Sequence, residues 1–221
     1  MTPAEQIRGL YAVTPQTEDS ARLAAQVRAA LEGGTRVVQY RDKSTDRALR
    51  RYQASALHAL CCAHGAALII NDDVELAMEI DAHGVHLGRE DGSIPTARTR
   101  MGPHKLIGAT CYRLLENAQR ALAEGADHIA FGSFFVSTVK PGAVRSTPTI
   151  LTEAKRKFGV PVVAIGGITP ENAPTLISAG ADSVAVITAL FGAPDITAAA
   201  RQFNALFDKV KVPDETKPKA V

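Results

Sequence analysis

Gln39, Arg41 and Lys43 stand two positions apart in the run Val37-Val38-Gln39-Tyr40-Arg41-Asp42-Lys43. Alternate residues of an extended segment share one face, so these three donors line up together. Two of them are cations, and burying that set without an anion is costly. A phosphorylated ligand would supply the anion; surface ion pairing at a solvated strand end is the alternative. Asp72 ends the run Leu68-Ile69-Ile70-Asn71-Asp72, and Asp91 follows Gly84-Val85-His86-Leu87-Gly88. Two hard oxygen ligands near phosphate-binding groups suit Mg²⁺ shared with a substrate. The structural alternatives are a helix cap for Asp72 and a turn residue for Asp91. Asn71 either binds a ligand or fixes its own turn.

Further along, Thr110 places a hydroxyl after Leu106-Ile107-Gly108-Ala109. The segment Phe131 to Gly142 carries Ser137, Thr138 and Lys140 ahead of a Pro-Gly pair, as a ligand-covering loop would. Gly166-Gly167 and Ile187-Thr188 each follow an apolar run. Backbone N–H groups at helix N-termini in those places form a phosphate cradle. Together these groups describe two anionic sites, one of them metal-assisted. The chemistry they suit is diphosphate chemistry on two phosphorylated substrates, with the leaving diphosphate neutralised by Mg²⁺, Arg41, Lys43 and Lys140. Cys61, Cys62, His58 and His64 fall in helical segments with no such company. His86 alternates with Val85 and Leu87 and so faces inward, where a structural role is the simpler reading.

Positioning these residues requires elements that end at one rim. Eight short apolar runs recur: 9–14, 37–41, 67–72, 84–88, 106–111, 128–132, 162–166 and 183–187. Longer amphipathic stretches separate them, which is the pattern of parallel βαβ units. Glycines at 33–34, 65, 125 and 180 follow helical stretches, where a left-handed residue ends a helix. Asp19-Ser20, Ser44-Thr45-Asp46 and Thr169-Pro170-Glu171 read as helix starts. Gly-Ala-Asp occurs at 125–127 and again at 180–182, an echo two units apart. The expected fold is α/β, a single (β/α)8 barrel over residues 1–210 with a flexible tail from 211 to 221. An open doubly wound sheet is the alternative, disfavoured because no G-x-G-x-x-G follows the first run.

Composition narrows the partners. The chain has 221 residues, a length that one barrel fills. Its 25 basic and 23 acidic side chains give a net charge of +2, which speaks against bulk binding to nucleic acid or an anionic membrane. Only 5% of residues are aromatic and none is tryptophan, so no base-stacking platform is evident. No apolar run approaches the ~18 residues of a membrane span, and the first residues lack a signal-peptide pattern. Three cysteines without a CxxC pair suit a reducing cytoplasm.

The ordered set Val38-Gln39-Tyr40-Arg41-Asp42-Lys43, Ile69-Ile70-Asn71-Asp72, Gly84 to Asp91 and Ala164-Ile165-Gly166-Gly167-Ile168 resembles the thiamine-phosphate synthase family. The likeness runs from about Gly9 to Phe191. It implies a barrel enzyme that joins hydroxymethylpyrimidine diphosphate to hydroxyethylthiazole phosphate and releases pyrophosphate. It also implies that Gln39, Tyr40, Arg41, Asp42, Lys43, Asn71, Thr110 and Lys140 hold the pyrimidine diphosphate, and that Asp72 and Asp91 hold Mg²⁺. Ser137, Thr138, Val139, Gly167, Ile187 and Thr188 fall where the family holds thiazole phosphate. Three positions depart from the family pattern: Val139 replaces a hydroxyl, Tyr112 a histidine, and Thr188 a serine. The same superfamily contains a thiazole tautomerase, but Arg41, Lys43, Asp72 and Asp91 favour the synthase. A Schiff-base aldolase with Lys140 as nucleophile would also use a lysine in that loop, and a non-catalytic barrel could bind the same precursors.

Overall fold

The computed structural model describes residues 6–136 and 144–209. Eight strands lie in sequence order: β1 (Gly9–Val13), β2 (Val37–Tyr40), β3 (Ala67–Asn71), β4 (Gly84–Leu87), β5 (Leu106–Tyr112), β6 (His128–Gly132), β7 (Val162–Ile165) and β8 (Ser183–Val186). Every neighbouring pair is parallel, and β8 pairs back onto β1 with Tyr11 opposite Ala185. The sheet is therefore a closed (β/α)8 barrel, which excludes the open doubly wound sheet. Each strand begins at the residue that opens its apolar run, and the ends differ by at most one residue. The tail expected from 211 lies outside the described residues.

Helices α1 (Ser20–Glu32), α2 (Arg47–Ala63), α3 (Val74–Glu79), α4 (Ile94–Met101), α5 (Leu115–Ala123), α6 (Thr149–Lys157) and α7 (Ala173–Ser178) alternate with the strands; α8 (Thr188–Phe191) and α9 (Ile196–Lys209) follow β8. Asp19 and Asp46 accept from Arg22 N–H and Leu49 N–H, capping α1 and α2 as their positions suggest. Asp73 caps α3 through Leu76 N–H at 2.9 Å and pairs with Arg50 at 2.5 Å. That leaves Asp72 free of a capping role. The start read at Thr169-Pro170 is displaced: α7 begins at Ala173. Asn172 Oδ1 instead accepts the Thr169 N–H, closing a turn that uses up those residues.

Two apolar layers sandwich the sheet. The outer layer packs Leu10, Val38, Tyr40, Ile70 and Val85 against the helices, and the inner layer includes Tyr11, Val37, Ile69, Leu106 and Val163. Alternation along parallel strands produces this division, because successive side chains point to opposite faces.

The amino-terminal rim shows why Gly-Ala-Asp repeats. Asp127 Oδ2 accepts the N–H of Ile107, the second residue of β5, at 2.7 Å, and Asp182 Oδ2 accepts the Val162 N–H that opens β7, at 2.9 Å. Arg98 and Lys155 neutralise these two carboxylates at 2.5 and 2.6 Å. His83 Nδ1 does the same for Leu68 of β3, at 3.1 Å. For β1 the residue before the next strand is Arg36, which cannot accept, and Asn204 Oδ1 of α9 takes the Leu10 N–H at 2.9 Å. All four odd-numbered strands thus give their first or second N–H to a side-chain acceptor. A buried N–H left unpaired costs roughly 1–3 kcal/mol. Asp182→Ala should therefore lower unfolding stability by roughly 1–3 kcal/mol, and Asp182→Asn, which keeps an acceptor oxygen, by less. Urea midpoints of the two variants measure this, and equal losses would contradict it.

Candidate active site

The carboxyl ends of the strands share the opposite rim, so the site is assembled from loops far apart in sequence. The β1 end fixes the β2 end. Thr14 Oγ1 accepts the Arg41 N–H at 2.9 Å, and Gln16 Oε1 accepts the Lys43 N–H at 3.3 Å. Gln39 is buried inside the barrel and donates through Nε2 to Tyr11 Oη at 3.0 Å. Among the described residues no side chain pairs with the Arg41 guanidinium, whose residue is only half-buried. Lys43 Nζ forms a short ion pair with Asp72 Oδ2. Asn71 Nδ2 donates to the same oxygen at 2.6 Å. Asp72 sits at φ 65, the left-handed region that short polar residues tolerate best. Its carboxylate is taken by Lys43 and Asn71, while Asp73 caps α3.

Asp91 approaches from the β4 loop, where its Oδ2 accepts the Gly88 N–H at 3.0 Å. Its carboxyl is pushed above the ordinary value, first by burial and then by hydrogen-bond contact and charge repulsion with Asp72; Lys43 opposes the shift. Two carboxylates from adjacent loops thus converge, with one lysine against them. This donor set, hard oxygens in mutual repulsion, fits a hard divalent cation. The described residues also contain a trio of possible metal ligands, His58, Cys62 and His83, but His83 belongs to the amino-terminal rim and its Nδ1 is committed to Leu68.

Not every expected residue reaches the mouth. Tyr40 faces outward and donates to Gln53 Oε1 of α2 at 2.9 Å. Asp42 is buried beside it and accepts the Ser44 N–H at 2.6 Å. Even-numbered positions of β2 point to the helix layer, which sets Tyr40 against α2, and Asp42, just past the strand, is spent on the Ser44 N–H, so both brace the Gln39–Lys43 segment. Ser137, Thr138, Val139 and Lys140 lie outside the described residues. Gly166 and Gly167 have φ 109 and 63, and a β-carbon on either would strike Ser133 or Phe135 of the β6 loop. Phe135 N–H bonds Gly166 O at 2.9 Å, so the pair seats that loop. The expected helix N-terminus does not directly follow Gly167, since α7 starts six residues on. At β8 the expectation holds in form: Ile187 is the N-cap residue of the short α8, which opens at Thr188.

The barrel interior below the mouth holds two histidines. His86 points inward, and its Nε2 lies 2.9 Å from Thr110 Oγ1. His128, two residues before the inward-facing Ala130, is fully buried with its ring 5.7 Å from that of His86. Strand alternation alone marks both as interior positions. Burial, the largest cause in each case, lowers their pKa values from 6.5 to about 4 and about 3.

These placements have measurable consequences. Tyr40→Phe should cost about 1 kcal/mol of stability, the value of one hydrogen bond, and leave substrate KM unchanged; steady-state kinetics beside urea unfolding checks both. The folded state keeps His86 and His128 neutral, whereas the unfolded chain protonates them near pH 6.5. Their contribution is full above about pH 6.5 and is lost as pH falls toward 4, at up to ~1.4 kcal/mol per pH unit for each histidine. Urea unfolding across this range should show the slope, and His128→Gln should reduce it by about one histidine's share.

The family model described as "Thiamine monophosphate synthase" matches residues 10–190. A thiamine-phosphate synthase of Thiobacillus denitrificans is 55% identical over 199 residues, covering 90% of this chain and 94% of that protein. One from Thioalkalivibrio sulfidiphilus is 49% identical, covering 92% and 97%. The solved thiamine phosphate pyrophosphorylase of Pyrococcus furiosus superposes with a TM-score of 0.82 at 33% identity, covering 93% and 98%. With its barrel closed, its carboxylate pair and cations gathered at one rim, and these relatives matched along most of its length, this chain belongs to the thiamine monophosphate synthase family.

Proposed function

We propose that this chain is a Mg²⁺-dependent transferase that joins 4-amino-2-methyl-5-(diphosphooxymethyl)pyrimidine to 4-methyl-5-(2-phosphooxyethyl)thiazole, giving thiamine phosphate and pyrophosphate. The observation that carries the reading is the convergence of Asp72, Asp91 and Lys43, with Arg41, two residues before Lys43, lacking a side-chain partner among the described residues. An anionic substrate and a divalent cation would complete that charge pattern. The relatives at 49–55% identity are named thiamine-phosphate synthase, which supports thiamine phosphate as the product; the substrate pair is the one that the family resemblance implies.

In this reading Asp72 and Asp91 hold Mg²⁺, which neutralises the diphosphate when bound. Lys43 changes partners from Asp72 toward the diphosphate, and Arg41 binds its oxygens. Asn71 holds Asp72 in place through the 2.6 Å hydrogen bond. Lys140 adds a further cation from the β6 loop. The C–O bond at the pyrimidine methylene breaks, and pyrophosphate leaves with the electron pair. The aminopyrimidine ring stabilises the cation left behind. The thiazole nitrogen then forms the new C–N bond. No proton has to move in the bond-making step, so no protein base is needed. Ser137, Thr138, Val139, Gly167, Ile187 and Thr188 would hold the thiazole phosphate and keep its nitrogen close. Among the described residues no helix is long and apolar enough to cross a membrane, and the three free cysteines agree with a reducing cytoplasmic setting.

Mass spectrometry of the chain incubated with both substrates and Mg²⁺ should show thiamine phosphate and pyrophosphate. EDTA should abolish the product. Arg41→Ala and Asp72→Ala should each lower turnover by about 100-fold or more, the scale of losing an electrostatic transition-state contact. Unchanged precursors with the intact chain, or undiminished turnover in both variants, would overturn the proposal.

A further inference from the structure

Beneath Thr110 lie two buried histidines that the proposed reaction does not use. His86 Nε2 is 2.9 Å from Thr110 Oγ1. Among the described residues, His86 Nδ1 and both nitrogens of His128 have no hydrogen-bond partner. His86 Nδ1 and His128 Nε2 converge on one point over Gly108, where a β-carbon would collide with both. Glycine at 108, on the strand between theirs, therefore makes room for the two imidazoles to approach each other. Buried polar nitrogens almost always find partners, and because these two face the same point, a small adjustment or one bridging water would join them.

We propose that His86 is a positioning residue that aims the Thr110 hydroxyl at the substrate, and that His128 sets the orientation of His86. This rests on the proposed reaction for the identity of the substrate. A neutral imidazole has one donor and one acceptor nitrogen. If His86 carried its proton on Nδ1, its Nε2 would take the only proton of Thr110 and leave hydroxyl lone pairs facing an acceptor-rich diphosphate substrate. The opposite tautomer removes that conflict. His128 Nε2–H supplies His86 Nδ1, His86 Nε2–H donates to Thr110 Oγ1, and Thr110 O–H donates into the mouth. The result is a one-way series of donors running from inside the barrel to the rim. Only three ring nitrogens and one hydroxyl are needed for it, and all are fixed by strand register: His86 is opposite Gly108, and Gly108 is opposite His128.

Two measurements on the full chain test this. The first is a double-mutant cycle on kcat/KM with both substrates and Mg²⁺. His86→Leu and Thr110→Val should each lose about 10-fold, the double variant should lose no more than Thr110→Val alone, and His86→Gln, which keeps a donor, should recover most of the loss. The second is ¹⁵N NMR of histidine-labelled wild-type chain. It should show one neutral histidine protonated on Nε2 whose signal disappears in the His86→Gln spectrum. Multiplying losses of about 100-fold in the double variant would overturn the inference, as would a wild-type rate in His86→Leu or an Nδ1–H tautomer for His86. A wild-type chain that makes no thiamine phosphate defeats the proposed reaction instead, and the tautomer then decides the inference by itself. The NMR measurement needs no variant to be active, so a His86→Leu chain that fails to fold leaves the test intact.

Discussion

The pairing of β8 with β1 is the constraint on which everything else in this molecule depends. Once the parallel ladder closes, every strand ends on the same rim and every start lies on the other. Residues separated by more than a hundred positions are then neighbours, while residues adjacent in sequence are parted to opposite faces. Closure also creates an interior that must be filled, since a barrel of eight strands is a packed core. The chain fills it with Tyr11, Ile69, Leu106 and Val163, and sets Gly108 where two imidazoles need the space.

The two rims solve different problems with similar residues. At the amino-terminal rim each carboxylate is fully engaged: Asp127 and Asp182 accept a strand N–H and bind a cation that cancels their charge. That is a stabilising arrangement, with both needs of the carboxylate met. At the carboxyl-terminal rim the matching is incomplete. Two carboxylates share one lysine, and an arginine lacks a side-chain partner among the described residues. Charges left unmatched beside one another are poised for a ligand, because the protein has already borne the cost of gathering them. The near-zero net charge of +2 conceals this division.

Much of this was legible in the chain. All eight strand starts coincide with the first residue of an apolar run, because a buried parallel strand must be apolar on both faces. The caps Asp19 and Asp46 followed from their place ahead of helical periodicity. The odd-position pattern of Gln39, Arg41 and Lys43 separated them from Tyr40 and Asp42, although family likeness grouped all five. The misplaced start at Thr169 has a local reason. Asn172 Oδ1 reaches back to the Thr169 N–H while Thr169 O accepts the Asn172 and Ala173 N–H groups, so residues 169–172 form a hydrogen-bonded turn and the regular helix opens only at Ala173. His128 escaped notice because a histidine at the start of a strand has no chemical company in sequence. Its company, His86 and Gly108, comes from two neighbouring strands.

By itself the sequence determined the repeating unit, the boundaries of the strands, and which residue types stood at their ends. Those are local properties, set by side-chain periodicity and by the hydrogen-bonding reach of a residue to its near neighbours. Only the tertiary structure decided that the sheet closes, that Asp72 meets Asp91 while Asp73 is spent on a helix and an arginine, and that the repeated Gly-Ala-Asp anchors strand starts instead of binding a ligand. The physical reason is that a carboxylate's role depends on which donors and charges surround it. Those surroundings come from strands and loops brought together by barrel closure, not from the residues beside it in the chain.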